Sequence, residues 1–237
     1  MSQISLETTV ADIVSAVPQT ADLFRKLRID FCCGGRIPLE EAAHNRNLDS
    51  SEVLSEILYI EQKQKDYAEH HPTAKRTEKE LIAYIQGKHH AFLREELPSL
   101  TPYVTKVSRV HGENHPHLLR VQQIFASLKA ELLDHTQDED EQVFPLILEF
   151  VQSPTPEAAE ALKPHVLELE TEHAAAGDLL KELREITDGF EPPEGACGTY
   201  RLVYQRLAAL EKDTFEHIHL ENNVLFEKVR SAITSVS

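Results

Sequence analysis

Apolar residues recur along most of this chain at alternating steps of three and four, the period of a helix that buries one face. Four long segments carry such a seam. The first runs Leu93, Leu97, Leu100, Val104, Val107, with Pro98 expected to kink or interrupt it; the second runs Leu118, Val121, Phe125, Leu128, Leu132 and on to Val143 and Leu146. The third carries Val166, Leu169, Ala176, Leu180 and Leu183, and the fourth Val203, Leu207, Leu210, Thr214 and Val224. Turn-forming breaks fall at 111–116, 153–156 and 188–198, the last rich in Pro and Gly. Before the bundle lie short helical patterns, Val10, Ile13, Val14, Val17 and then Ala21, Phe24, Leu27, Ile29, resuming from Pro38 and Ser51 after an Asp30-Phe-Cys-Cys-Gly-Gly turn. Its glycines are expected to supply a positive φ. The polar stretch 62–77 reads as a linker. The expectation is an all-α chain: a small N-terminal helical domain, 1–70, followed by an up-down four-helix bundle, 77–237.

The seams contain polar residues that a core does not ordinarily hold. His135 and Glu139, and again His217 and Glu221, stand four apart on one helix face, each pair followed nine residues after its His by a phenylalanine, Phe144 or Phe226. Short His-x-x-x-Glu pairs arise by chance in a chain with 13 His, so the intervals matter more than the motif. His90 and His173 are 83 residues apart and His135 and His217 are 82 apart; the steps from His90 to His135 and from His173 to His217 are 45 and 44. The chain from His90 onward therefore reads as a duplicated two-helix unit that puts one His per helix into one interior. His89 adjoins His90 and competes with it, but the intervals and the register favour His90.

A buried carboxylate costs several kcal/mol, roughly, unless it is paired or metal-bound. No Lys or Arg stands on the seam beside Glu139 or Glu221. Four imidazoles and two carboxylates suit a transition metal better than calcium or magnesium, and the two equal halves suggest two ions with shared glutamates. The residue types alone do not rank iron above manganese. Glu131 and Glu172 are candidates to hold ligand N–H groups, against the plainer reading of a solvated helix face.

Composition narrows the partners. A net charge of −16 argues against nucleic acid, no apolar run reaches membrane-spanning length, and the N-terminus does not read as a signal peptide, so the expected location is cytoplasmic. Three Cys, two adjacent, do not form a disulfide framework. Cys32 and Cys33 read as candidate thiols for transfer or redox chemistry on an accessible glycine turn, against the alternative of two small buried residues; Cys197 reads as incidental.

The run Glu-x-Glu-His173-x-x-x-Gly, the run His217-Ile-His-Leu-Glu221-Asn-Asn-Val-Leu-Phe226 and the Asp30-Phe-Cys-Cys-Gly-Gly module together resemble the iron–sulfur cluster repair di-iron proteins, the RIC family. The likeness covers almost the whole chain. It implies a hemerythrin-like bundle with two non-haem iron ions on His90, His135, His173 and His217, bridged by Glu139 and Glu221. It also implies repair of iron–sulfur clusters damaged by nitrosative or oxidative stress, with damaged iron–sulfur proteins as partners and NO or O2 as small ligands. Two other readings use the same centre: an NO or peroxide oxidoreductase with the two Cys as electron relay, and an O2 or NO sensor. Whether the N-terminal module forms a homodimer contact or docks on its own bundle is open at this level.

Overall fold

The computed structural model describes residues 4–65 and 76–236. Among these there are helices and turns, and the nearest approach to a strand is an isolated antiparallel bridge between Thr9 and Pro38. No helix among them is long and apolar enough to cross a membrane. The N-terminal module comprises α1 (Val10–Ala16), α2 (Thr20–Lys26), α3 (Leu39–His44) and α4 (Ser50–Lys65). The expected linker lies mostly outside the described residues; at its far end Thr77 starts the next helix with a capping box, its Oγ1 accepting from the Glu80 N–H while the Glu80 carboxylate accepts from Thr77 N.

Four rods follow. The first joins α5 (Glu78–Ile85) through a π-turn (Gln86–His90) to α6 (Ala91–His111), and the second joins α7 (His117–Asp138) through a π-turn (Glu139–Val143) to α8 (Phe144–Gln152). The third is the uninterrupted α9 (Pro156–Ile186), opened by Thr155 as N-cap and Pro156 at the first helical position. The fourth joins α10 (Gly198–Leu220) through a π-turn (Glu221–Leu225) to α11 (Phe226–Val236). Helix α6 packs on α7 and α10, and α9 packs on the same two, which closes the four-helix ring. The breaks expected between rods fall where the helices end.

Pro98 does not interrupt the first rod: α6 runs through both Pro98 and Pro102. Both prolines are exposed while Leu93, Leu97, Leu100, Val104 and Val107 are buried in unbroken register. The carbonyls that lose a donor at each proline therefore face water, which satisfies them, and the apolar stripe holds the rod together.

Apolar packing divides at the level of the seam histidines. One cluster fills the bundle from Leu93 to Leu132 and from Ala176 to Ile218, and it continues without a gap into Val10, Ile13, Phe24 and Leu39 of the module. The other fills the opposite end, with Ile85, Phe144, Phe150, Leu169 and Phe226. A polar layer lies between them.

The module docks on its own bundle. Asp30 Oδ1 accepts from the backbone N–H groups of Cys32 and Cys33 at 3.1 and 3.0 Å, and its Oδ2 accepts from Lys181 Nζ of α9 at 2.8 Å. Asn223 Nδ2 donates to the Cys32 carbonyl at 2.9 Å, and Arg36 pairs with Glu227 at 2.7 Å. Gly35 is needed for close approach rather than for a positive φ, since Gly34 and Gly35 are absent from the left-handed residues. A Cβ at Gly35 would stand 2.5 Å from the Phe31 carbonyl oxygen.

Candidate metal centre

The polar layer is made of the six seam residues singled out in the sequence. His90, His135, Glu139, His173, His217 and Glu221 are all buried, and Glu139 and Glu221 have 0% of their surface exposed. Each His turns its Nε2 inward. His90 Nε2 lies 3.3 Å from Glu139 and 3.7 Å from Glu221, His217 Nε2 lies 2.9 Å from Glu221, His135 Nε2 lies 3.2 Å from Glu139, and His173 Nε2 lies 3.1 Å from Glu221. Two overlapping quartets result, His90–Glu139–His217–Glu221 and His135–Glu139–His173–Glu221, each with one donor atom per residue within 4.8 Å of the others. Both carboxylates belong to both quartets.

Three of the inward nitrogens are aimed by partners on the far side of the ring. His90 Nδ1 meets Asp140 Oδ1 at 2.9 Å, His135 Nδ1 meets Glu172 Oε2 at 2.7 Å, and His173 Nδ1 meets Asn222 Oδ1 at 2.8 Å. Each of these oxygens accepts, so the proton sits on Nδ1 and the Nε2 lone pair points into the layer. The Nε2 atoms of His135 and His173 stand 2.9 Å apart, and those of His90 and His217 3.3 Å apart. None of the four oxygens of Glu139 and Glu221 receives a hydrogen bond of acceptable geometry. A concentration of buried lone pairs of this kind calls for positive charge.

In the metal-free layer protons supply part of it. Burial disfavours charge on His90, yet the carboxylates of Glu139 and Glu221 outweigh that and hold its pKa at about 10. Burial also opposes charge on His135, and Glu139, with Glu172 behind, keeps it well above the ordinary imidazole range. His217 is pushed down by burial. Burial would raise Glu221, but the surrounding imidazoles of His217, His173 and His90 bring it well below the usual carboxylate range; Glu139 is lowered in the same manner by His135 and His90.

The local helix geometry explains the spacing. Nine residues in a regular α-helix turn through about 900°, which would place Phe144 on the face opposite His135. The π-turn that begins at Glu139 adds one residue and returns Phe144 to the interior, where its ring lies parallel to that of His90 at 5.6 Å. The turn that begins at Glu221 does the same for Phe226, which lies parallel to His173 at 6.2 Å. The two halves match in a further respect: the residue after each shared glutamate, Asp140 or Asn222, is the one that anchors a His on another rod. That signal was available in the sequence as an acid or amide at the same offset in both repeats.

His89 does not join the layer. Its Nδ1 meets Asp213 at 3.0 Å and its ring stacks on His217 at 5.7 Å, so it supports the one seam histidine whose Nδ1 has no partner. Glu172, though itself exposed, accepts from His135 Nδ1, and Glu131 is exposed. Both line a cavity of about 610 Å³ that reaches His135 and His173 from the surface, with Asp134, Asp138, Glu141 and Glu168 around it. Of the remaining histidines, His117 meets Tyr204 Oη at 2.9 Å at the far end of the bundle, near Cys197, which contacts His111.

The cysteines are less open than the glycine turn suggested. Cys32 is buried and Cys33 half-buried, their sulfurs 3.6 Å apart and both free. The neighbouring Cys33 thiol and burial push the Cys32 pKa well up, so Cys32 is a neutral thiol in the docked module. Cys33 Sγ approaches the backbone carbonyl of His173 at 3.5 Å, beside Gly177, which leaves it room.

A bundle with this layer is a hemerythrin-type cation-binding domain, and residues 81–229 match the hemerythrin HHE cation binding domain family. Residues 6–61 match ScdA_N, a domain of unknown function (DUF542). The chain is similar to the iron–sulfur cluster repair protein ScdA of Staphylococcus haemolyticus, 40% identical over 226 residues that cover 95% of this chain and 99% of that one. It is similar also to ScdA of Staphylococcus epidermidis (39%, covering 95% and 99%) and to the iron–sulfur cluster repair protein YtfE of Yersinia pseudotuberculosis (34%, covering 90% and 92%). The chain belongs to the ScdA/YtfE family of iron–sulfur cluster repair proteins.

Proposed function

We propose that this protein restores iron–sulfur clusters damaged by nitrosative or oxidative stress, acting in the cytoplasm on damaged iron–sulfur proteins. It would do so from a pair of iron ions held by His90 and His217 on one side, His135 and His173 on the other, and Glu139 and Glu221 between. The observation that carries the reading is the twofold layer itself: two quartets share both carboxylates, and each brings two imidazole nitrogens together. The names of the relatives supply the process, and the layer supplies a store for its iron.

Iron bound there supplies redox chemistry and affinity for NO or O2, and in repair it is also the cargo. The chain's own residues set the conditions. Asp140, Glu172 and Asn222 hold the donor nitrogens inward, Phe144 and Phe226 cover the rings, and the apolar clusters on both sides exclude bulk water from the layer. The acidic cavity at His135 and His173 gives a cation a route of favourable potential between solvent and the layer. Cys33, seated on the backbone of His173, is the thiol placed to couple the N-terminal module to the centre.

The test is metal analysis with Mössbauer and visible spectra on protein purified without chelators, followed by repair of a damaged cluster. Two irons per chain, lost in His217→Ala and Glu221→Ala, with stoichiometric rescue that Cys32→Ser/Cys33→Ser abolishes while the spectrum persists, are the expected results. A single zinc, or an intact fold with no bound metal, would overturn the site. Catalytic consumption of NO or peroxide without cluster rescue would replace repair by an oxidoreductase function.

A further inference from the structure

A second cavity, of about 210 Å³, lies where the module meets the bundle, on the outer side of Cys32. Its chemistry is opposite to that of the chain. Of 24 Lys and Arg in a protein of net charge −16, five line this space: Arg25, Arg28 and Arg46 from the module, Lys181 and Arg184 from α9. Against them stand Asp30, Glu185 and Glu211, so the lining carries a positive excess.

Three of the five cations already have work. Glu211, with 0% of its side chain exposed, accepts from Arg184 on both its oxygens and from Arg25 at 3.5 Å, and Lys181 is held by Asp30. Arg28 and Arg46 have no ion pair or hydrogen bond from their side chains among the described residues, and the buried Nε of Arg25 has no acceptor. Arg28 also stands where a side chain is unfavourable. It follows the end of α2 with φ 58, closing the helix through the Ile29 N–H to the Phe24 carbonyl, a position that glycine or asparagine takes without strain. Asn47, at φ 56 just beyond α3, is the expected residue in such a place; Arg28 is not.

We propose that this cavity binds a small multiply charged oxyanion, a polycarboxylate or a phosphate ester or anhydride. Guanidinium groups suit such ligands because their planar N–H pairs match two oxygens at once. Arg28 and Arg46 hold it from the module, and Lys181 and Arg184 hold it from α9. The bound anion thus ties the module to the bundle directly beside Cys32. The inference is independent of whether the histidine layer holds metal.

The full chain, metal-free and iron-loaded, is titrated by calorimetry with citrate, inorganic pyrophosphate and, as a monovalent control, acetate. Citrate or pyrophosphate should bind, with an affinity that falls as salt rises and that drops about tenfold or more in Arg28→Asn/Arg46→Gln. Binding of citrate alone assigns a carboxylate ligand, and binding of pyrophosphate alone a phosphate. Arg28→Asn without ligand should melt at the wild-type temperature or above it. No binding of either anion, equal binding in the double variant, or binding of acetate as tight as that of citrate would overturn the proposal, and so would a lower melting temperature for anion-free Arg28→Asn.

Discussion

Replacing Asn222 with leucine separates positioning of the donors from the donors themselves. Leucine keeps the branched outline of the side chain and removes the oxygen that accepts from His173 Nδ1 at 2.8 Å in a buried setting. The orphaned N–H costs about 1–3 kcal/mol in the metal-free protein. For a chain of this size that corresponds to a melting temperature lower by roughly 2–12 °C. With the ring no longer held, affinity for an ion between His135 and His173 should fall about 10–100-fold, as for loss of other groups that orient metal ligands. The His90–His217 half keeps its own anchor, Asp140, which Gln86 and Arg94 hold in turn. Competitive titration of Fe(II) against a chromophoric chelator should therefore resolve one weakened and one nearly unchanged ion in Asn222→Leu, and the reverse pattern in Asp140→Leu. Equal loss of both ions in both variants would refute the assignment of Asp140 to one half and Asn222 to the other. Wild-type affinity together with the expected thermal loss would reduce Asn222 to a packing role.

Loading the layer should expel protons, because His90, with its pKa at about 10, is charged in metal-free protein at pH 8, and His135 is shifted in the same direction. Indicator-dye titration should register at least the His90 proton on saturation. The same shifts set the sign for metal-free stability: the raised His90 stabilises below the ordinary imidazole value and loses that as pH climbs through about 10, whereas the lowered Glu221 stabilises above the ordinary carboxylate value and loses that as pH falls. Gly35→Ala puts a methyl 2.5 Å from the Phe31 carbonyl and should dislodge the turn, speeding alkylation of Cys32 while iron stoichiometry stays at the wild-type level; unchanged alkylation would show that the turn absorbs the methyl.

The rods, their breaks and the six layer residues were legible because all depend on one quantity, the helical period of buried positions, and the repeat supplied a second, independent measure of it. Choosing His90 over His89 followed from interval and register, and the structure shows why both are buried: one faces the layer and its neighbour turns to Asp213. Continuity of α6 through Pro98 was not legible, since it depends on which side of the rod the missing hydrogen bond faces. The burial of Cys32 was hidden for a comparable reason. Local glycines describe the turn, but its cover comes from Asn223, Lys181 and the carbonyl of His173, all more than a hundred residues away.

Each π-turn also divides its rod into two segments with separate angular phase, offset by about 100°. His135 and Glu139 belong to one phase and Phe144 to the other, and the same holds for His217, Glu221 and Phe226. A bundle rebuilt with uniform heptads could keep the donors or the aromatic covers in its interior, but not both. Straightening 139–143 into regular α-helix at unchanged length would leave His135 and Glu139 in place and swing all of α8 by about 100°, away from the core it now fills. The irregular turns are thus what allow one straight rod to serve two neighbours lying in different directions.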